Sequence, residues 1–389
     1  MNGRIDICGA IAQKAHQAGH TWQFLQYLLG FRELGWDVLF IDRLHGETDQ
    51  RDRQIRYVRT VMREVGLDRA WTIGLDDGSH SGLARAEVLD RVRSADLLLN
   101  VMGFCEDPEI LAAARERVFL DTDPGFGQMW HALGLADIFA GHDRHVTIGE
   151  RIGTPDCPIP TCGIDWIRTP QPVVLSHWPV APRPEGPIRF TSVARWRGAY
   201  GPIDFDGHRY GLRLHQFRRF AELPRLTGAR LEVALEIDPA DAADIRRLAH
   251  AGWVLTDPDS VAATPESYRR FIRESSAELL VAKGMYVDTR SGWLSERSLC
   301  YLASGRPVVA QSTGAEALYP TGAGLVTFAT VEEAVAGIDA IRSEYARHAR
   351  AARDLAEAYC DAARGLRRLV DLLGSRPAAT VIAGGRALA

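Results

Sequence analysis

The sequence predicts an α/β protein in two halves, each a parallel sheet covered by helices. Three observations carry this. Short apolar strand-like runs alternate with helical stretches along both halves. A proline-rich stretch near the middle, CPIPTCGIDWIRTPQPVVLSHWPVAPRPEGP, interrupts the alternation. At 389 residues the chain exceeds what one hydrophobic core usually serves, so two domains are expected.

Ile5–Ile11 is a run suited to a buried strand. The loop AQKAHQAGH follows, and Leu25, Leu28, Leu29 and Leu34 share one face of a helix from about Thr21 to Leu34. Gly35 ends it and Asp37–Ile41 is the next strand, completing a β-α-β unit. Asp96–Val101, Val118–Asp121, Ala136–Ala140 and His145–Ile148 supply further strands, so residues 1–165 make a first domain. Residues 166–187 read as a linker. The pattern then restarts with strand Ile188–Val193, helix Arg213–Leu223 and strand Arg230–Leu235. Asp238-Pro239 opens a helix, Trp253–Thr256 is a strand, and Thr264 caps a helix that has Pro265 at its first position. Leu279–Ala282 is the strand before SGWLSERSLCYLASGRPVVAQSTG, residues 291–314. There Ser291-Gly292 is a turn, Ser295 an N-cap, Leu299, Leu302 and Ala303 a buried face, and Gly305 a left-handed helix end before strand Val308–Ala310. Leu325–Phe328 is a late strand, and Thr330-Val-Glu-Glu333 a capping box. The second domain spans 188–345, a helix over 346–373 crosses between domains, and 374–389 is a loose tail.

Composition excludes several classes. A net charge of −4 argues against a nucleic-acid or anionic-membrane partner. No apolar run reaches the length of a membrane span, and the N-terminus lacks the pattern of a signal peptide. Six scattered cysteines form no zinc set, Cys157 and Cys162 lacking a second pair, so reduced thiols and a cytoplasmic location are expected. Of 46 basic residues only Lys14 and Lys283 are lysine. A lysine kept in so arginine-rich a chain points to a task for a compact ammonium, with chance retention as the alternative.

Ligands of open parallel sheets bind at the carboxyl ends of strands, here the cleft between halves. The helix behind Ser295 presents unpaired N–H groups and a positive dipole end, which suit a phosphate. Arg297 and Ser298 add charge and a hydroxyl in its first turn. The plain alternative is a capped helix fronted by solvent.

The segments ASGRPVVAQSTG, GAGLVTF and TVEEAVAGI resemble the C-terminal domain of GT-B glycosyltransferases, nearest to the group-1 family, over about residues 188–372. The N-terminal half resembles it only in its β-α-β start with a Gly-His loop and in VFLDTDPGFGQ. The resemblance implies two Rossmann-like domains facing a central cleft. It implies sugar transfer from a nucleotide-diphosphate donor (UDP-, GDP- or dTDP-linked) to a small-molecule acceptor, with no metal and no other cofactor, by a monomer or homodimer. Donor diphosphate and sugar would meet Arg195 (or Arg197), Arg213, Lys283, Ser291, Gly292, Trp293, Ser295, Glu296, Arg297 and Ser298. The nucleobase would lie along Val254, Leu255 and Thr256. The acceptor would enter over His16, Gly19 and Trp130, with His20 as general base and Asp123 or Asp121 orienting it or acting as base. The structural alternative for these groups is a solvated arginine surface and a helix-capping histidine.

One departure is clear. The family carries two glutamates eight positions apart, and Gly292 and Cys300 stand at those positions here, with Glu296 in another register. Retaining stereochemistry is therefore not implied. Asp121-x-Asp123 matches the metal-binding pair of GT-A enzymes, but two similar halves point to the other arrangement. A UDP-sugar 2-epimerase-like enzyme and a non-catalytic nucleotide-sugar-binding subunit remain as alternatives. A nicotinamide enzyme is set aside because Gly9-Ala-Ile-Ala-Gln is not the G-x-G-x-x-G turn.

Overall fold

The computed structural model describes residues 3–46, 50–198 and 200–374, so the tail expected at 374–389 lies, beyond Gly374, outside the described residues. Eight strands form the N-terminal sheet. In spatial order they are His80–Gly82, Trp71–Leu75, Asp37–Leu44, Arg4–Cys8, Leu97–Val101, Arg117–Asp121, Arg144–Thr147 and Trp166–Arg168. All neighbours run parallel except the His80–Gly82 edge. Arg4–Cys8 is central and covered on both faces: Ile5 and Ile7 are fully buried, and so is Asp6 between them, whose carboxylate is met by Arg91 at 3.4 Å. It stops at Cys8 rather than Ile11. The Asp42 carboxylate accepts from the Ala12 N–H at 2.6 Å and from Gln13 Nε2 at 3.2 Å, which turns the chain back before helix Ala18–Glu33.

The C-terminal sheet is six parallel strands in the order Val254–Thr256, Arg230–Glu236, Arg189–Arg195, Ala277–Leu280, Val308–Gln311 and Leu325–Phe328. Gly305 takes the left-handed conformation expected of it, φ +69°, after helix Glu296–Ala303. Thr330 and Glu333 form their reciprocal cap. Ser295 sits at the N-cap, but its side chain makes no capping hydrogen bond.

Four expectations change. Ala136–Ala140 is not a strand, because the Asp137 carboxylate takes the Phe139 and Ala140 N–H groups at 3.1 Å and folds the run into a turn. Strand Trp71–Leu75, where Trp71, Ile73 and Leu75 alternate, lies outside the expected set, as do the short strand His80–Gly82 and the hairpin of Ile203–Phe205 with His208–Tyr210, three residues each. The stretch read as a linker begins with edge strand Trp166–Arg168 and then packs as a seam. Its Trp178 is fully buried against Trp22, and Val174 N–H donates to Gln26 at 2.8 Å. The expected crossing helix is two helices, Tyr345–Leu355 and Ala362–Gly374, joined by a π turn. The Val173 N–H donates to the Cys360 carbonyl and the Val173 carbonyl accepts from Ala362, which breaks the helix at Asp361. Among the described residues no helix is long and apolar enough to cross a membrane.

The last helix returns to the N-terminal half and packs on Ala18–Glu33 at Gly30, where an added Cβ would lie 2.5 Å from Leu366 Cδ1 and 3.1 Å from Ala362 Cβ. Gly30→Val should therefore cost about 1–3 kcal/mol despite better helix propensity, read as a lower urea midpoint with an unchanged m-value.

Candidate active site

The carboxyl ends of both sheets face one cleft of about 320 Å³. Eleven residues singled out in the sequence line it together: His16, Gly19, His20, Asp123, Arg195, Arg213, Lys283, Trp293, Ser295, Glu296 and Arg297. Loops after Arg4–Cys8 and Arg117–Asp121 supply the N-terminal wall. Segments after Arg189–Arg195, Val254–Thr256 and Ala277–Leu280, with Glu236 at the end of its strand and the front of helix Glu296–Ala303, supply the other.

Lys283 joins the walls. Its ammonium donates to both Asp123 oxygens at 2.8 and 3.0 Å, and the Tyr286 hydroxyl donates to the same carboxylate. The rings of Phe126, Tyr286 and Tyr200 surround the ammonium at 5.1, 5.2 and 5.8 Å. Burial lowers the lysine's pKa, and Asp123 opposes that. Tyr286 also stacks on Trp293 at 4.2 Å.

Arg213 differs from the other cleft arginines. It is buried, it lines the cleft, and among the described residues nothing forms an ion pair or hydrogen bond with it. Burial pushes its pKa down to about 10, and Arg297 nearby adds to the effect. It also opens helix Arg213–Arg219, where a cation meets the positive dipole end. Arg297 is instead committed: Nε donates to Glu278 at 2.6 Å and Nη1 to the Val193 carbonyl at 2.6 Å, leaving a buried Nη2 unpartnered. Arg195 pairs with Glu236 at 2.6 Å on the rim, and its sequence rival Arg197 pairs with Asp241 away from the cleft.

His20 packs edge-on to Phe24, with centroids 5.0 Å apart, and its Nε2 is buried without a partner. Burial pushes its pKa down to about 3, and a hydrogen bond to the Ala10 backbone opposes this, so the imidazole is neutral. No hydrogen bond joins it to Asp123 or Asp121 among the described residues. Asp121 is taken by Gln128 at 2.7 Å and Thr147 at 2.8 Å. His16, at φ +66°, accepts from Arg53 at 3.2 Å.

Besides Arg197 and Asp121, seven singled-out residues stay off the cleft lining. Ser291 is fully buried and its carbonyl accepts from Arg151 at 3.0 Å. Gly292 has φ +80°, and a Cβ there would lie 2.8 Å from Leu318 and 2.9 Å from Arg151. Ser298 is buried in the helix with its hydroxyl unpartnered. Val254, Leu255 and Thr256 form the outer edge strand, where Thr256 donates to Glu232 at 3.1 Å. Trp130 packs edge-on to Tyr200 at 4.9 Å beside the cleft. The sequence reading missed Gln17, Gln23, Glu236, Asp259, Tyr268 and Tyr286 on the lining. Lys14, flagged only by the rarity of lysine, lines it too.

With this geometry in view, the fold has clear counterparts. The chain matches Anabaena HepE in complex with UDP-glucose over 96% of its own length and all of the other, at 12% identity and a TM-score of 0.58. It matches AviGT4, a glycosyltransferase involved in avilamycin A biosynthesis, over 96% and 99% at 13% identity and 0.52, and TarM over 96% and 99% at 8% identity and 0.56. These define the fold as GT-B, two Rossmann-like domains about a cleft. No family profile and no curated protein sequence matches the chain.

Two outcomes follow from the charges. Arg297→Ala should destabilise by about 3–5 kcal/mol by stranding Glu278, whereas Arg213→Met should keep or raise the thermal midpoint because it strands nothing. Burial pushes the Glu296 carboxyl up to about 7, with hydrogen bonds from Cys300 at 2.9 Å and Gln26 at 3.3 Å pulling back. Stability from a raised carboxyl is complete below about pH 4 and lost as pH rises through 7. Glu296→Gln should therefore gain about 1–3 kcal/mol relative to wild type between pH 5 and pH 8 in paired thermal melts.

Proposed function

We propose that the chain is a glycosyltransferase that moves a sugar from a nucleotide-diphosphate donor to a small-molecule acceptor. One observation carries this reading: a buried arginine, Arg213, on the cleft of a GT-B fold with no carboxylate in contact with it among the described residues, the nearby Asp123 and Glu278 being bonded to Lys283 and Arg297 instead. A buried cation is stable only with a counter-charge, and a diphosphate supplies it. Lys283 and Arg195 stand beside Arg213 to meet the charge that grows on the leaving diphosphate, with no step assigned to a metal. HepE is complexed with UDP and with UDP-glucose, which supports a nucleotide-sugar donor. AviGT4 acts in the biosynthesis of a natural product, in keeping with an acceptor of that kind.

The acceptor enters over His16, Gly19 and His20. Its hydroxyl proton passes to His20 Nε2 as the hydroxyl oxygen bonds to the anomeric carbon and the bond to the diphosphate breaks. A neutral imidazole of such low basicity takes the proton late, when the oxygen has become acidic. Asp123, held by Lys283 and Tyr286, positions the lysine instead of accepting the proton.

Calorimetric titration of UDP, GDP, ADP and dTDP into wild type and Arg213→Met tests the donor. One diphosphate should bind, and the variant should bind it at least about tenfold more weakly. Binding that ignores the variant places the diphosphate elsewhere, and binding of none removes the nucleotide reading. Turnover of the matching sugar donor only when an acceptor is supplied separates transfer from epimerisation and from a non-catalytic subunit.

A further inference from the structure

Among the described residues, Lys14 is the one lysine or arginine that the N-terminal half puts on the cleft lining. Burial keeps the neighbouring His16 and His20 below the usual histidine range. The ammonium lies 5.3 Å from the Phe104 ring centre and has no ion pair or hydrogen bond among the described residues. It is not a dangling surface chain. The loop that carries it is fastened by Asp42 through Ala12 and Gln13, and its own N–H donates to the Ala10 carbonyl at 3.2 Å. Arg195 and Lys283 are near enough to disfavour its charge, and Asp123, the nearby carboxylate, is already bound to Lys283.

The charges divide by wall. Arg213, Lys283 and Arg195, assigned above to the diphosphate, come from the C-terminal half, whereas Lys14 reaches the cleft from the N-terminal wall, within electrostatic range of Arg195 and Lys283. An uncompensated, partly desolvated ammonium in a cleft already rich in cations is unfavourable until an anion reaches it. Both lysines of this chain stand on this one cleft, against 46 basic residues overall. A compact ammonium and a planar guanidinium fork are not interchangeable beside the Phe104 ring.

We propose that the cleft binds a second anionic group at Lys14, a carboxylate or phosphate carried on the acceptor or on the donor's sugar. This rests on the glycosyltransferase reading and deepens it by naming the substrate class.

The test uses the full chain as wild type, Lys14→Gln and Lys14→Arg. In the acceptor arm, inorganic phosphate, glucuronate and glucose 6-phosphate are titrated beside glucose, onto free and onto UDP-loaded protein. In the donor arm, UDP-glucuronate is compared with UDP-glucose. In at least one arm the acid should bind about tenfold tighter than its neutral counterpart. Lys14→Gln should abolish that preference, Lys14→Arg should keep part of it, and the affinity for UDP itself should hold within about threefold. The arm that responds says which substrate carries the acid. No preference for the acid in either arm overturns the proposal, as does a preference that survives Lys14→Gln. Failure of UDP to bind would count against the nucleotide reading alone, because the free-acid arm needs no nucleotide.

Discussion

Across the cleft, the Lys283 ammonium holds both oxygens of Asp123, and much of the arrangement depends on that contact. Its partners come from opposite halves, the lysine from the loop after Ala277–Leu280 and the aspartate from the loop after Arg117–Asp121. Aromatic rings screen the pair from water, which strengthens the attraction and raises the cost of leaving either charge alone. A diphosphate in the proposed site competes with Asp123 for the same ammonium. Donor binding is then coupled to the apposition of the two walls, and Tyr286, which donates to Asp123 from beside Lys283, keeps the carboxylate satisfied meanwhile.

Much of the C-terminal half was legible because its signals are local. Gly305 is set by the φ its turn requires, Thr330 and Glu333 by a three-residue reciprocal cap, and Leu325–Phe328 by a short β-prone run buried at both ends. What was illegible is long-range. Nothing within the helix segment says that Arg297 will be paired with Glu278, nineteen residues before it on a neighbouring strand, so the ion pair was not legible. Ala136–Ala140 looked like a strand until Asp137 supplied a competing local partner for the backbone. The rarity of lysine was the better signal, since both lysines came to one cleft.

The proline-rich middle shows why composition alone misjudges a connection. Proline cannot donate to a ladder, so the stretch reads as unstructured. Here its side chains and remaining amides make the seam between halves: Trp178 on Trp22, Gln171 Nε2 donating to the Leu294 carbonyl at 2.7 Å, and Val174 to Gln26. Gln26 then donates to Glu296, so the seam runs into the cleft floor.

That floor also explains the missing glutamates. At Gly292 the backbone has φ +80° and is wedged against Leu318 and Arg151, so any side chain there is strained and obstructed. At Cys300 the thiol donates to Glu296, one helical turn earlier. The helix thus still delivers one carboxyl to the cleft, but from its first residue and from the wall that also touches the N-terminal half through Gln26. A carboxyl pushed up to about 7 is not a fixed anion. In its protonated form it donates as well as accepts, and it adds no repulsion toward a diphosphate gathered by Arg213 and Lys283. One buried carboxyl of this kind adds little negative charge beside Arg213 and Lys283, which keeps the cleft favourable to an anion.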